Sequence, residues 1–247
     1  MTDYRVYLRN QSLPGMGEME TGQQRGDPPP PIERPVPEGA ALIDLTPLKT
    51  WQVKEMPLVE ALRRRRSRRS FTSAPLSADE LSFLLWATQG VEETAREGRI
   101  TLRTVPSGGA MHPFETYLAI RRVAQFLPGR YRFVATRHAL LPLGGEETAR
   151  QPALAEICNG QRFVDDAAVV FIWAVRPART QYRYGSDSLK DILISVGHIC
   201  ENLYLACEAI GVGTCAVVSY QQVLLDAYLG LDGHDEIPLY LAPVGRV

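Results

Sequence analysis

Residues 63–71, RRRRSRRSF, are the stretch around which the rest of this 247-residue sequence is organised. Six of these nine residues are arginines, although the formal net charge of the whole chain is only −1. Like charges on about two helical turns repel each other, at a few tenths of a kcal/mol for each close pair. A bound phosphate would relieve this repulsion, because its oxygens match the planar fork of arginine and accept a hydrogen bond from Ser67. The cluster alone is also consistent with a solvated basic helix face or a nucleic-acid patch.

The composition narrows the classes of protein to consider. With 45% hydrophobic and 22% charged residues, it is typical of one large domain or two small ones. The isoelectric point of about 6.4 argues against a general nucleic-acid binder, so we expect no nucleic-acid partner. No run approaches the roughly 20 apolar residues of a membrane span, so we expect no membrane partner. The four cysteines lack CxxC and zinc-ligand spacing, which predicts buried free thiols, no metal site and a cytoplasmic protein.

The first 57 residues differ in character from the remainder. They are dominated by Gly, Pro and polar residues, contain the polyproline run 28–31 and show no sustained periodicity. We interpret residues 1–57 as an extended arm that lies over the body of the protein, with Ile43, Leu45 and Leu48 as apolar anchors. Disorder is the alternative. Residues 58–247 are predicted to form the domain itself.

Apolar periodicity predicts a mixture of helices and strands in this domain. A first helix runs from Pro57 into the arginine cluster, and Ser77 and Glu80 form a capping box for a second helix that Gly90 ends. Further elements are a hairpin of strands 116–123 and 130–135, a short helix at 148–158, a central strand at 167–175, a polar connection at 182–188, a long and largely apolar helix at 189–210, a strand at 214–220, a helix at 221–229 and a strand at 238–244. Because helices and strands do not alternate strictly, we predict an α+β layer fold.

A second unusual stretch is PSGGAMHP, residues 106–113. Its two glycines allow the backbone to approach another group closely and leave amide N–H groups free to donate. Taken alone, the stretch is more simply interpreted as a tight turn.

Three stretches together resemble the FMN-dependent nitroreductases. They are the pattern RRS-x-R-x-F at residues 65–71, PSGG followed by Pro113, and the long helix ending in Gly-x-Gly at residues 211–213. The forms LSADELSFLLWATQG and GHICENLYLACEAIGVGTC are most similar to the SagB-type branch, which includes dehydrogenases that oxidise azolines to azoles in modified peptides. The resemblance covers residues 58–247. It implies a nitroreductase-like fold, with a central, mainly antiparallel β-sheet flanked by helices, and an intertwined homodimer with two shared flavin sites.

The resemblance also implies which residues bind the FMN phosphate and the neighbouring part of the cofactor. Arg65 and Ser67 would bind the phosphate and ribityl end, with Arg66 beside them. Arg69 would face the ribityl–pyrimidine edge, where its charge stabilises the reduced flavin. Arg246, after the final Pro-Val-Gly, would be a second phosphate ligand.

Two further segments would contact the flavin ring. The resemblance implies that Pro106, Ser107 and Gly108 reach the isoalloxazine from the other subunit, so that each site would need both chains. The backbone at Val218 and Ser219 matches the family position where an N–H group reaches flavin N5 and O4.

One position departs from the azoline dehydrogenases, which usually have Lys-Tyr-Gly before the long helix. Here the sequence reads Arg183-Tyr184-Gly185. Tyr184 remains a candidate proton donor, but Arg183 cannot serve as a neutral base because its side chain stays protonated. The arginine that commonly follows in that branch is also absent. Because of this departure, an azoline dehydrogenase is a less favoured interpretation than a stand-alone reductase or dehydrogenase of unknown substrate.

The favoured function is therefore an FMN-dependent oxidoreductase that moves hydride through flavin N5 between an electron donor and a small organic substrate. NADH and NADPH are candidate donors, and direct transfer from the substrate is the alternative. His112, inside the flavin-facing loop, is a second catalytic candidate, whereas His198 fits a core or interface position better. The alternatives are an azoline-to-azole dehydrogenase acting on a peptide substrate, a non-catalytic flavin-binding module, and a nucleic-acid binder that would carry no flavin.

Overall fold

The computed structural model describes residues 20–144 and 152–247. The described strands are β1 (Ile43–Asp44), β2 (Val91–Ala95), β3 (Ile100–Arg103), β4 (Phe114–Ile120), β5 (Gly129–Val134), β6 (Ala139–Pro142), β7 (Val169–Val175), β8 (Val212–Thr214) and β9 (Ile237–Arg246). The described helices are α1 (Gly22–Arg25), α2 (Leu58–Arg64), α3 (Ala78–Gln89), α4 (Leu154–Ile157), α5 (Phe163–Asp166), α6 (Pro177–Tyr184), α7 (Ser188–Ile210) and α8 (Gln222–Leu229). Within these ranges, no helix is long and apolar enough to cross a membrane.

Seven strands form one sheet in the order β1-β6-β5-β4-β7-β9-β8, and β2 and β3 form a separate hairpin. Every neighbouring pair in the large sheet is antiparallel. Alternate residues of β7 enter two different cores, because side chains of a strand point to opposite faces. Phe171 and Trp173 pack with α3 and α7 on one face, whereas Ile172 packs with α4, α5 and α8 on the other. The α+β fold with a central antiparallel sheet is thus confirmed.

Several predicted elements are confirmed by their local chemistry. The capping box of Ser77 and Glu80 begins α3, with both reciprocal hydrogen bonds present. Strands β4 and β5 form the predicted hairpin, and β7 is the predicted buried central strand. The long helix α7 ends at Gly211 in the left-handed conformation that glycine adopts without strain. All four cysteines are free and buried.

Other expectations were wrong in part. The first helix enters the arginine cluster as predicted but ends at Arg64, so residues 65–71 are not helical. The predicted polar connection at residues 182–188 begins inside α6. The predicted strand 214–220 is interrupted, because β8 ends at Thr214 and the chain pairs with the sheet again at Val217, opposite Leu241 of β9. The hairpin of β2 and β3 was not predicted at all. Part of the expected helix at 148–158 lies outside the described residues; the described part contains α4.

The N-terminal arm is ordered over its described part, residues 20–57, and contributes β1 to the edge of the sheet beside β6. Leu45 is buried as expected, but Ile43 and Leu48 are exposed. Buried arginines hold the arm more firmly than these apolar residues do: Arg179 donates to the carbonyl of Pro31 at 2.9 Å and Arg132 to that of Arg34 at 2.6 Å. The division into an arm of residues 1–57 and a domain of residues 58–247 stays a prediction.

The two buried arginines share one buried acid, Glu115, on strand β4. Arg179 forms an ion pair with its carboxylate, and Arg132 lies 3.5 Å from it. Burial alone would raise the pKa of Glu115, but the charge and hydrogen bond of Arg179, the Arg34 backbone N–H and the charge of Arg132 together lower it. The acid therefore stays ionised, and the arm docks on a compensated charge cluster.

Candidate active site

The arginine segment leaves the end of α2 and runs beside β8. Ser67 pairs with Thr214, and the Arg68 N–H donates to the Thr214 carbonyl at 2.9 Å. This approach needs glycine at position 213, because a Cβ atom there would lie 2.7 Å from the Cβ of Arg68. The backbone of residues 65–69 is thereby fixed against the sheet.

Two arginines of the cluster are neutralised within the protein. Arg68 lies 3.4 Å and Arg64 3.9 Å from the carboxylate of Glu208, which is buried on α7. A buried carboxylate requires such a cation, because charge in the protein interior is costly unless it is paired. These two arginines are therefore structural in part.

The other side chains of the segment form a set of hydrogen-bond donors. Among the described residues, no carboxylate pairs with Arg65, Arg66 or Arg69, and the Ser67 hydroxyl is exposed beside them. Arg66 donates instead to backbone carbonyls, at 2.8 Å to that of Arg65. Guanidinium groups and a hydroxyl at one exposed place match a phosphate, which offers only acceptors at neutral pH. The donor set fits the phosphate of FMN.

Tyr204 on α7 joins this segment to the chain after β8. Its hydroxyl lies 3.1 Å from Ser67 Oγ and accepts a hydrogen bond from the Ala216 N–H at 2.8 Å. The guanidinium of Arg65 lies over its ring, 5.4 Å from the centroid. Burial, the largest effect, raises the pKa of Tyr204. The sequence showed Tyr204 only as one more residue of an apolar helix, and nothing in its spacing marked the hydroxyl.

Val218 and Ser219 follow directly on this connection. The Val218 side chain is 71% exposed, and its N–H donates to no acceptor within the described residues. Two hydrogen bonds hold Ser219 in place: Asn159 donates to its hydroxyl at 3.1 Å, and Gln161 donates to its carbonyl at 3.0 Å. Tyr204 therefore links Arg65 and Ser67 to the connection that leads to Val218; that these residues hold one flavin stays a prediction.

The loop of residues 106–113 packs against the start of α7 and the end of α6. The Gly108 backbone lies against the Asp191 carboxylate, and any Cβ atom at Gly108 would collide with that carboxylate. At Gly109, with φ of +56°, a Cβ atom would lie 2.6 Å from the Tyr184 hydroxyl and 2.7 Å from Arg183 Nη1. Close backbone approach was therefore predicted correctly, and the groups approached belong to this same chain.

His112 lies behind the loop and is only 5% exposed. The backbone N–H of His112 donates to Ser107 Oγ at 3.1 Å. Burial, the largest effect, and the charges of Arg103 and Arg179 lower the pKa of His112 to about 3. The imidazole is therefore neutral at physiological pH and has no open path to a substrate in this conformation, so its catalytic role stays a prediction that the burial does not favour.

Arg246 does not point freely at the arginine segment. Its guanidinium lies 2.7 Å from Oε1 and 2.8 Å from Oε2 of Glu80, the residue that also caps α3. The role of Arg246 as a phosphate ligand stays a prediction, and it requires this ion pair to be shared or opened.

The predicted cofactor residues fall into two groups along α7. One group surrounds Tyr204, whereas the loop contacts α7 nearer its start, at Ser195 through Ser107 Oγ at 3.4 Å and at Asp191 through Gly108. At 1.5 Å per residue, these contacts lie about 14 and 20 Å before Tyr204 along the helix axis. Among the described residues, no hydrogen bond or ion pair joins residues 106–108 to the arginine segment.

Comparison with known proteins decides the family. A model of the nitroreductase family matches residues 62–246. The chain belongs to the nitroreductase family. The protein MJ1384 of Methanocaldococcus jannaschii, whose name places it among the nitroreductases, is 34% identical over 203 residues, which cover 82% of this chain and 98% of that protein. The trifolitoxin-processing protein TfxB of Rhizobium leguminosarum bv. trifolii is 27% identical over 165 residues, which cover 64% of this chain and 44% of that protein.

Solved structures agree with this assignment. A nitroreductase-type protein from Ralstonia eutropha superimposes with a TM-score of 0.66 at 27% identity, covering 89% of this chain and 98% of that one. Membership in the nitroreductase family identifies the chain as a flavin-dependent oxidoreductase in general terms. The family model begins at residue 62, so the described arm lies outside the part that it matches.

Proposed function

We propose that this nitroreductase-family protein is an FMN-dependent oxidoreductase that moves hydride through flavin N5 between NADH or NADPH and a small organic substrate. The observation that carries the proposal is the position of Tyr204, whose hydroxyl contacts both Ser67 and the Ala216 N–H. Tyr204 thus links the segment with donors suited to a phosphate to the connection that carries the Val218 N–H, which suits a flavin ring.

Each residue then has a stated task in holding FMN. Arg65 and Ser67 bind the phosphate, Arg66 adds positive charge beside it, and Arg69 faces the pyrimidine edge of the ring. The Val218 N–H is directed to the ring. When bound, FMN supplies the hydride acceptor, while the chain binds and orients it. Each charge-assisted hydrogen bond contributes about 1.5–3 kcal/mol, so several together retain FMN without a covalent bond.

The proposed assembly is a homodimer in which Pro106, Ser107 and Gly108 of the partner subunit complete each site. The separation of about 14–20 Å along α7 between the two groups of residues supports it. So do the exposed apolar side chains on that helix, namely Leu193 at 49% and Ile194 at 50%. Burial of these residues in a second copy would remove apolar area from water.

Tyr184 is the proposed proton donor to the substrate. Its hydroxyl lies against Gly109 of the loop, and the guanidinium of Arg183 lies 5.6 Å from the centre of its ring. The phenol is partly exposed, whereas the imidazole of His112 is buried. Tyr184 is therefore better placed for proton transfer than the buried His112.

A second candidate function is oxidation of azolines to azoles in a modified peptide. The likeness to a trifolitoxin-processing protein favours it, and Arg183 in place of the usual lysine argues against it. Conversion of an azoline-containing peptide by the purified protein, with a mass loss of two hydrogens, would make this function the better assignment.

The first test is the visible absorption spectrum of the purified protein and the identity of any chromophore released by heat. We expect a flavin spectrum and released FMN, and turnover of NADH or NADPH with a nitroaromatic or quinone. Bound FMN without turnover would indicate a non-catalytic flavin-binding module. A colourless protein that does not take up added FMN would contradict the proposal.

The phosphate assignment has its own test in Arg65→Ala. We expect flavin occupancy to fall at least about tenfold, because a charge-assisted contact to the phosphate is lost. Arg137→Ala removes an exposed side chain of the same charge from the turn before β6 and serves as the control. Full occupancy in Arg65→Ala would show that Arg65 does not hold the phosphate.

A further inference from the structure

A cavity of about 230 Å³ lies beside the loop of residues 106–113, between the arm and the body of the domain. Its walls come from four separate parts of the chain: residues 29–32 of the arm, the hairpin of β2 and β3, residues 110–111 of the loop, and α6. The arm wall is fixed, because Arg179 donates to the Pro31 carbonyl and Arg103 to the Ile32 carbonyl. A cavity held open in this way has room for a small organic group.

The lining of this cavity is strongly basic. It includes Arg96, Arg99, Arg179 and Arg183, and among the described residues no Asp or Glu lines it. Only Arg179 has its charge compensated in the core, by Glu115. Arg99 has an exposed partner, Glu97, whose surface ion pair contributes little.

The positive charges of the remaining two arginines are not compensated by any acid among the described residues. Arg96 and Arg183 make no ion pair with any residue in the described ranges. Arg183 donates to the carbonyl of Gly109 at 3.4 Å, while Tyr182 adds a ring and a hydroxyl to the lining. Arginines that line a partly enclosed space favour a carboxylate or a phosphate as the ligand, because the surrounding walls reduce screening by water.

The position of the cavity connects it with the reaction. Ala110 and Met111 line it and lie two and three residues after Gly108, the last of the three residues proposed to reach the flavin of the other subunit. Arg183 belongs to both places, because it lines the cavity and contacts the loop. A ligand held here lies next to the loop that the proposed function places at the flavin ring.

We propose that this cavity binds the oxyanion group of a reactant, either the carboxylate of an organic substrate or the phosphate of the nicotinamide donor. The identification of the ligand as a reactant rests on the proposed function; the binding of an oxyanion does not. Arg96 and Arg99 supply the charge from the hairpin, Arg183 supplies it from α6, and the arm closes the side facing solvent.

The test compares two anions with their neutral counterparts by titration calorimetry on the full-length protein. The probes are benzoate against benzamide, and AMP against adenosine. We expect at least one anion to bind about tenfold or more tightly than its neutral counterpart, and Arg96→Gln/Arg99→Gln to remove that preference. Arg96→Lys/Arg99→Lys keeps the charge and should retain most of it. The variant Lys49→Gln/Lys54→Gln removes two exposed charges of the arm outside the cavity and is the matched control.

The source of the anion follows from which probe binds. A preference for benzoate assigns an organic acid, and a preference for AMP assigns the phosphate of the donor. No preference for either anion, or equal loss in the two double glutamine variants, would overturn the proposal. A flavin-free protein that still prefers an anion would contradict the proposed function and leave the oxyanion site standing.

Kinetic measurements distinguish an anion that takes part in the reaction from one that only binds to the cavity. In the active holoenzyme, Arg96→Gln/Arg99→Gln should lower kcat/KM about tenfold for 4-nitrobenzoate relative to 4-nitrobenzamide, or for NADPH relative to NADH. An anion that binds without changing either ratio would show a site unrelated to the reaction and would overturn its assignment to a reactant.

Discussion

The imidazole of His112 is buried beside two arginines, and the folded protein keeps it neutral. Its pKa is lowered to about 3, whereas an exposed histidine titrates near 6.5. Between these two values the unfolded chain binds a proton that the folded chain does not. Stability contributed by the neutral ring is therefore complete above pH 6.5 and declines as the pH falls below it, by about 1.4 kcal/mol per pH unit.

The variant His112→Asn tests this linkage, since asparagine tolerates the positive φ of this position better than most residues. We expect the free energy of unfolding of the native protein to fall by about 2 kcal/mol more than that of the variant between pH 7.5 and pH 5. Urea denaturation at the two pH values measures it. His234→Asn removes an exposed imidazole and is the control. An equal decline in native protein and His112→Asn would show that the ring is protonated in the folded state.

Individual residues also show where the sequence stops being informative. Arg65 and Ser67 were assigned to the FMN phosphate through the resemblance of residues 65–71 to the nitroreductases, and this assignment stays a prediction. Tyr204 was not singled out, because its role depends on the break between β8 and Val217, where the Ala216 N–H meets the hydroxyl. When a side chain contacts two segments that are distant in the sequence, the residues around it show no pattern that predicts the contact.

At the scale of elements, the arm is held by contacts that span most of the chain. Residues 31–35 offer their carbonyl groups to arginines on β5 and α6, at separations of about a hundred residues or more. The sequence indicated apolar anchors for the arm, because only side-chain hydrophobicity is visible locally. The helices α3 and α7 were predictable for the opposite reason: a capping box and helical periodicity are local patterns.

The variant Arg34→Ala tests this docking. The Arg34 guanidinium donates to the Tyr117 hydroxyl at 2.8 Å and lies 3.2 Å from the carboxylate of Glu236, which is almost fully buried. Loss of this half-exposed cation leaves the buried carboxylate of Glu236 less well paired. We therefore expect the free energy of unfolding to fall by about 1–3 kcal/mol.

Limited proteolysis should also cleave the arm of Arg34→Ala sooner than that of the native protein. Lys49→Ala, an exposed position on the same arm, is the control. Unchanged stability together with unchanged cleavage would show that the backbone carbonyl contacts alone hold the arm.

For the molecule as a whole, the layered core follows from the hydrophobic pattern, whereas the functional surfaces do not. Strand β7 and its two cores were foreseeable from one apolar run, since such a run must be covered on both faces. The basic cavity combines four segments, one of which, the β2–β3 hairpin, was not foreseen. Its existence depends on tertiary packing that no single stretch specifies.

The proposed dimer is the property of the whole molecule that is easiest to contradict. Leu193 and Ile194 are half exposed in the single chain, on the helix that also carries Asp191 and Tyr204. If a second copy covers them, Leu193→Glu/Ile194→Glu places two charges in an apolar interface, where desolvation is costly. We expect sedimentation velocity to show monomers in place of dimers. The same variant should lose bound flavin, because Ser107 and its neighbours from the partner subunit no longer complete the site.

Leu127→Glu serves as the control, since Leu127 is 79% exposed in the turn between β4 and β5, far along the chain from α7. It should leave both mass and flavin content unchanged. A glutamate variant of α7 that stays dimeric would place the interface elsewhere. A monomer that keeps its flavin would separate the two claims, because the chain could then hold FMN through Arg65 and Ser67 without help from the loop of a second copy.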